Sequence, residues 1–233
     1  PGNMLQADSS FSKSYINLFP SVTLSYQAGK NHSLNLSYRR RIDRPNYQDM
    51  NPFVYIFDTY TYEQGNTTLQ PQFSNNLELS YLLANNYKVA VFYNQTNDVI
   101  AKSFILSENS KRVYVMPKNL ATYRSCGVRL SAGNLSPVKY MQSTASIGLT
   151  LNQFEWSLIQ DANKTAQTTL MFHVGNRFLL GKGWLAELTG YYNGRMAMGQ
   201  MKIASFGQLT AGIQKKLWND RASISLYSND LFH

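Results

Sequence analysis

The sequence predicts an all-β fold of antiparallel strands in up-and-down order, and three observations lead to it. Apolar and polar residues alternate one for one in about ten segments, as at Leu34, Leu36 and Tyr38. Short and long links between these segments alternate along the chain. The polar positions hold mostly Ser, Thr, Asn, Gln and Gly, with few charges. A period of two places successive side chains on opposite faces of a strand, whereas a helix would scatter the apolar groups around its axis.

Ten segments with this alternation follow one another along the chain. They lie at residues 22–26, 34–38, 77–81, 87–93, 128–132, 147–151, 170–174, 184–188, 209–213 and 222–226. Val, Ile, Tyr, Phe and Trp, which are enriched in strands, occupy many of the apolar positions. Each segment is therefore predicted to be a strand with one apolar and one polar face.

The links between these strands are of two kinds. Short links rich in Gly, Asn or Asp lie at residues 28–32, 84–86, 134–137, 181–183 and 218–220, and such residues favour tight reversals. Longer links lie at residues 40–72, about 95–120, 153–164 and 194–205. Because every second link of a meander lies at the same end, one rim should carry the tight turns and the other rim the long loops.

Composition and link asymmetry together favour a transmembrane β-barrel. Only 15% of residues are charged while 13% are aromatic, and the longest apolar runs have five residues, far short of the about 20 that a membrane helix needs. Aromatic residues crowd the predicted tight-turn rim at Tyr26, Tyr81, Tyr87, Tyr140, Trp184 and Trp218. An apolar face in contact with lipid and a polar face around a hydrated lumen would explain both patterns. A soluble β-sandwich or a solenoid is the alternative.

Three short motifs in the first long link carry a resemblance to a known family. They are Arg-Pro-x-Tyr at residues 44–47, Asn-Pro-Phe at residues 51–53 and Gly-Asn-x-x-Leu-x-Pro at residues 65–71. With them, the sequence resembles the C-terminal barrel of TonB-dependent outer-membrane receptors of the Bacteroidetes type, in the outer membrane protein beta-barrel family. The resemblance extends from about Leu18 to Phe232. Thr67 departs from it, since the family usually has proline there.

The resemblance implies a barrel of roughly 22 strands around an N-terminal plug. It also implies a receptor in the bacterial outer membrane that takes up a scarce nutrient when TonB pulls on an N-terminal segment. No plug or TonB box is recognisable, so we expect residues 1–233 to form a single domain that is an incomplete portion of such a barrel, with about 10–12 strands and without its last strands. A small closed barrel of ten to twelve strands is the alternative architecture.

Aromatic and polar residues of the first long link form the predicted ligand-binding set. The candidates are Arg44, Asn51, Phe53, Tyr55, Asp58, Tyr60 and Tyr62. Aromatic rings stack on sugars or chelate rings, and arginine binds acidic groups. Glycans, siderophores, haem, peptides and vitamins all fit such a vestibule. The other interpretation is that these side chains pack the loop against its neighbours.

A basic cluster precedes this loop at Arg39, Arg40 and Arg41. At the membrane boundary these side chains would bind lipopolysaccharide phosphates, whereas Arg39 on the polar face would instead attract an anionic substrate into the lumen. The net charge of +9 comes with no nucleic-acid-binding motif, so nucleic acid is not an expected partner. Expected partners are outer-membrane lipid, TonB, the nutrient and a surface lipoprotein. A barrel that serves adhesion or anchors a surface complex without transport is the second functional hypothesis.

Motifs of enzymatic chemistry are absent from the sequence. There is no HExxH, GxSxG or Walker-type segment, and a single cysteine, Cys126, excludes a disulfide framework or a cysteine-based metal cage. Of the histidines His32, His173 and His233, only His173 lies inside a predicted strand, where a hydrolase site built with a Ser and an acid is the alternative to a wall residue. We expect no enzyme activity, no cofactor and no metal.

Overall fold

The computed structural model describes residues 17–106, 112–158, 161–198 and 201–231, which form an antiparallel β-meander. The elements in chain order are β1 (Ser21–Gln27), β2 (His32–Asp43), the short helix α1 (Tyr47–Met50), β3 (Val54–Ile56), β4 (Thr61–Gln64), β5 (Gln72–Leu83), β6 (Tyr87–Leu106), β7 (Val113–Leu135), β8 (Met141–Leu158), β9 (Asp161–Gly181), β10 (Trp184–Asn193), β11 (Met196–Met198), β12 (Met201–Ile203), β13 (Phe206–Leu217) and β14 (Ala222–Ser228). The prediction of an all-β fold is confirmed. Within the described ranges, no helix is long and apolar enough to cross a membrane.

Ten strands form one continuous hydrogen-bonded path. Its order is β1, β2, β5, β6, β7, β8, β9, β10, β13, β14, with β3 and β4 attached to β7 at the side and β11 paired with β12 in a separate hairpin. In the described part of the chain, β1 and β14 each have one neighbouring strand and do not pair with each other. These strands therefore do not close into the small barrel considered as the alternative architecture.

The two faces of this sheet have inverted burial. On the apolar face, Leu36, Val91 and Leu149 expose 39%, 54% and 48% of their surface. On the polar face, the buried side chains include the hydroxyl residues Ser80, Thr96, Ser125, Thr150 and Thr169. A soluble sandwich would bury the aliphatic side chains and expose the hydroxyls. The observed pattern is that of a barrel wall, whose apolar side chains point outward to lipid.

All five tight turns lie where the sequence predicts them. They join β1 to β2, β5 to β6, β7 to β8, β9 to β10 and β13 to β14. Backbone angles with positive φ, which tight reversals require, occur at Gly29, Asn85, Asn134, Gly181 and Asn219. Tyr26, Tyr87, Tyr140, Trp184 and Trp218 are all exposed beside these turns, as an interfacial girdle requires.

The prediction of long loops at about residues 95–120 and at residues 153–164 is wrong, because most of these residues continue the strands. β6, β7, β8 and β9 contain 20, 23, 18 and 21 residues, whereas about 9–11 residues cross a bilayer. Beyond Tyr93 and Leu151 the outward positions become polar, at Gln95 and Gln153. These strands therefore project past the apolar band on the side opposite the tight turns, where lipid no longer selects apolar residues.

Candidate functional site

The connection between β2 and β5, residues 44–71, is folded rather than extended, and we call it the folded loop. Asn46 caps α1 by accepting a hydrogen bond from the Asp49 amide at 2.7 Å. The β3–β4 hairpin follows, and β4 pairs in parallel with β7 at Thr61 to Glu63. The projecting part of β7 thus holds the folded loop against the barrel extension.

Residues of the third motif, residues 65–71, hold the folded loop in place. The Asn66 amide donates to the Asp49 carbonyl at 2.6 Å, and the Asn66 side chain donates to the Pro117 carbonyl at 3.1 Å. Leu69 is buried. Outside the motifs, Glu63 forms an ion pair with Lys102 at 2.6 Å. Asn66 and Leu69 of the third motif therefore act in this structure as part of the scaffold of the loop.

Three of the predicted ligand-binding residues make contacts within this scaffold. Asn51 accepts from the Phe53 amide at 3.1 Å and donates to the Tyr55 hydroxyl at 3.2 Å. Asp58 accepts hydrogen bonds in the β3–β4 turn. The ring of Tyr62 stacks on Tyr114 with centroids 5.6 Å apart. These three side chains shape the loop.

The other four predicted ligand-binding residues present free surface. Phe53, Tyr55 and Tyr60 are exposed, and so is Arg44, which forms no ion pair with any residue that the structure describes. Tyr55 also lines a pocket of about 400 Å³ below the hairpin, together with Gln48, Asp49, Ile56, Phe57, Glu63, Gly65 and Pro117. Aromatic rings around a concave pocket can stack on a flat ligand, and the two carboxylates can accept its hydrogen bonds.

Acidification is expected to loosen the β3–β4 turn. Asp58 accepts from the amides of Tyr60 and Thr61, both at 2.7 Å, and from the Thr61 hydroxyl at 3.1 Å. The hydrogen bond from the Tyr60 amide is the main cause that lowers the pKa of Asp58. A lowered folded-state pKa means that this stabilisation is complete above the unfolded pKa of about 3.9 and is lost as the pH falls through the folded value.

Hydrogen-exchange protection of the Tyr60 and Thr61 amides measures this effect. Protection should fall below about pH 4 in the wild-type protein. In the Asp58→Asn variant, whose side chain does not titrate, protection should not depend on pH in this range. An equal loss of protection in both proteins would contradict this role of Asp58.

The structure separates the three arginines of the predicted basic cluster. Successive residues of β2 face opposite sides, so Arg39 and Arg41 lie on the polar face while Arg40 lies on the apolar face. The Arg40 guanidinium stacks over the ring of Phe73 at 5.4 Å. The prediction of one shared basic cluster is therefore divided between the two faces, with Arg40 on one side and Arg39 and Arg41 on the other.

A concave site on the polar face, which the sequence did not reveal, contains these two arginines. We call it the wall pocket; its volume is about 350 Å³ and its lining is Ser37, Arg39, Arg41, Asn76, Leu77, Glu78, Phe92, Asn94 and Arg129. Arg129 reaches it from β7, with its guanidinium 5.6 Å from the centroid of the Phe92 ring. Alternation along each strand would have indicated the shared face, but the alignment of four strands requires their register.

His173 is the histidine for which the sequence left a hydrolase site open. His173 lies on the polar face opposite Ser146 and Tyr191, and its side chain makes no hydrogen bond to a described residue. In the described segments, no three His, Cys, Asp or Glu side chains lie close enough to hold a metal ion. His233 lies outside the described residues.

Comparison with known families decides the classification. The outer membrane protein beta-barrel family matches residues 2–233. The chain belongs to the outer membrane protein beta-barrel family. The chain is accordingly located in the bacterial outer membrane. Members of this family are typically not enzymes. A comparison with curated proteins gives no significant match.

Solved structures show the same barrel fold at low sequence identity. The siderophore receptor PirA from Pseudomonas aeruginosa is 13% identical, with a TM-score of 0.67 over 93% of this chain and 39% of that chain. A mutant of the ferric enterobactin receptor PfeA from the same organism, in complex with enterobactin, is 14% identical, with a TM-score of 0.62 over 93% of this chain and 35% of that chain. The present chain therefore spans less than two fifths of the length of these receptors.

Proposed function

We propose that this chain is the C-terminal barrel portion of a TonB-dependent receptor that imports a scarce nutrient through the outer membrane. The observation that carries the proposal is a lipid-type apolar face backed by a polar face, in a meander that follows the wall of siderophore receptors. The two edge strands support it as well, because unpaired backbone groups are costly in a bilayer and call for further strands. Residues 1–233 would then be one part of a larger barrel that surrounds a plug.

In this proposal the folded loop is the first contact for the nutrient. Arg44, Phe53, Tyr55 and Tyr60 offer a cation and three exposed rings on a backbone that β4 and β7 hold in place. A rigid platform binds with a smaller loss of conformational entropy than a flexible one. TonB would then deform the plug and admit the nutrient along the polar face. The chain itself carries out no chemistry on its ligand.

Adhesion or anchoring of a surface complex is the second candidate function. The observation that favours it is the size of the exposed apolar surface on the folded loop, where Tyr47 and Phe53 expose 79% and 71% of their surface. Large exposed apolar patches often mark sites of protein contact. A surface lipoprotein would be a suitable partner for such a loop.

Uptake measurements in the native bacterium test the proposed function. A strain without the gene is expected to lose uptake of one nutrient from a labelled panel of ferric enterobactin, haemin, cobalamin, an oligosaccharide and an oligopeptide. A strain without TonB should lose the same uptake to the same extent, because import is coupled to TonB. The combined variant Phe53→Ala with Tyr60→Ala should weaken cell-surface binding of that nutrient.

Unchanged uptake combined with a loss of attachment would contradict import. If the gene is expressed and its deletion changes uptake of none of these nutrients, but reduces retention of a lipoprotein or attachment of cells to a surface, the anchoring function replaces the import function. The variant Gln70→Ala, altered in the same loop outside the exposed rings, serves as the control for expression and folding.

A further inference from the structure

The wall pocket contains more positive charge than its surroundings neutralise. The side chains of Arg39 and Arg41 make no hydrogen bond or ion pair with any residue that the structure describes, and the Arg129 guanidinium lies over the ring of Phe92 without an acidic partner among these residues. The one carboxylate that lines the pocket, Glu78, already forms an ion pair with Lys88 at 2.9 Å. Three guanidinium groups therefore line one concave site without a free acidic partner among the described residues.

Other cations on the polar face have partners, which makes this pocket distinct. Arg177 Nε lies 3.5 Å from Glu187 Oε1, and Lys216 Nζ lies 3.3 Å from Asp220 Oδ2. In each pair the nearby carboxylate neutralises the charge of the cation. Like charges that share a site repel each other, so a group of arginines without acids is best explained by an anion that binds between them.

We infer that the wall pocket is a binding site for a carboxylate- or phosphate-bearing anion, an inference that rests on the proposed import function. A guanidinium group can donate two parallel hydrogen bonds to two oxygens of a carboxylate or a phosphate. The Asn76 side chain adds a neutral donor, since it has no hydrogen-bond partner among the described residues. The Phe92 ring holds the Arg129 guanidinium in place by stacking.

Two sources can supply the same anionic group. One is an acidic nutrient that passes along the wall, and the other is an acidic side chain of the protein's own polypeptide within the lumen. Both present oxygens to the same guanidinium groups. The experiment therefore has one arm for each source.

Titration calorimetry with citrate tests the first source. The full-length protein that contains this chain is purified in detergent micelles, without TonB, and titrated with citrate at low and at high salt. Citrate should bind the wild-type protein, and each of Arg39→Gln and Arg129→Gln should raise Kd about tenfold, since a charge-assisted hydrogen bond is lost. High salt should weaken binding to the wild-type protein.

Matched variants separate this site from a general effect of charge. Arg40→Gln removes the same charge from the same strand on the opposite face, and Arg177→Gln removes a paired charge from the polar face. Both are expected to bind citrate within about twofold of the wild type, because neither side chain lines the pocket. Arg39→Lys should restore part of the affinity, because it keeps the charge but loses the bidentate geometry.

Thermal unfolding tests the second source. If a protein carboxylate occupies the pocket, citrate will not bind the wild type, and the triple variant Arg39→Gln, Arg41→Gln, Arg129→Gln should lower Tm relative to Arg40→Gln. If no anion occupies it, removal of three mutually repelling charges should leave Tm unchanged or raise it. Absence of citrate binding together with an unchanged or raised Tm would overturn the inference.

The result does not depend on the uptake experiment. Citrate binding that is lost in Arg39→Gln supports an anion site even if no nutrient is imported. Conversely, import that persists in the triple variant with the wild-type rate and without citrate binding would leave the import function standing and remove this site from it.

Discussion

Replacement of Leu149 by arginine is expected to destabilise the folded protein in a bilayer by about 2–4 kcal/mol, as found for cations on the lipid face of barrels. Leu149 lies on the apolar face of β8, between Val128 of β7 and Leu170 of β9, and 48% of its surface is exposed. In water such an exposed site would tolerate arginine at little cost. In hydrocarbon the guanidinium must be dehydrated or must draw water and headgroups toward it, and this costs free energy.

The matched control is Ser146→Arg on the same strand. Ser146 lies on the polar face, opposite Ser131 and His173, so an arginine there points into a hydrated lumen and should cost much less. Denaturant unfolding of the full-length protein in phospholipid vesicles measures both free energies. If Ser146→Arg destabilises the protein as much as Leu149→Arg, the assignment of the two faces is wrong.

The strands and tight turns could be predicted because lipid and turn geometry both act on neighbouring residues. Alternation with a period of two follows directly from the pleat of a strand between two different solvents, as at Val89 and Val91. Tight reversals need positive φ, and Gly29 and Asn85 satisfy that need with residues that adopt it readily. Both signals are local in sequence, so they survive without knowledge of the fold.

The projecting parts of β6 to β9 could not be predicted from alternation. Past the apolar band both faces meet water, so the outward residues become polar, as at Gln95, Arg124 and Glu155. The hydrogen-bonded ladder continues because backbone pairing does not require an apolar side chain. A strand of this kind has no contrast between its faces, and the sequence then resembles a polar loop.

The contacts of the folded loop and the lining of the wall pocket could not be predicted, because both depend on segments that are distant in the sequence. The links from Glu63 to Lys102 and from Tyr62 to Tyr114 join the folded loop to the β6–β7 extension across about 40 to 50 residues. The wall pocket needs β2 and β7 at a fixed relative register, with β5 and β6 between them. Residue types give candidates for such sites, whereas the strand register decides which of them meet.

Replacement of Gly65 by alanine is expected to detach part of the folded loop. A Cβ at this position would lie 2.6 Å from the Asn51 nitrogen and 2.8 Å from the Asp49 oxygen, and it would also contact the Asn51 oxygen. All three are backbone atoms, which cannot rotate aside as a flexible side chain could. The hydrogen bond from the Gly65 amide to the Asn51 carbonyl at 2.9 Å would be strained or lost. Overpacking of this kind costs about 1–3 kcal/mol.

Hydrogen exchange at the amides of Gly65 and Asn66, together with limited proteolysis within residues 44–71, measures this effect. Both rates should rise in Gly65→Ala, while the unfolding of the barrel itself should change little, because the contacts of the folded loop with β6 and β7 lie outside the ten-strand path of the wall. Gly133→Ala is the matched control, since a Cβ there meets no atom within 4 Å. If Gly65→Ala keeps wild-type protection at Asn66, the close packing of α1 against the third motif does not anchor the loop. If nutrient binding is lost together with protection, the exposed rings of the loop act only while this backbone holds them in place.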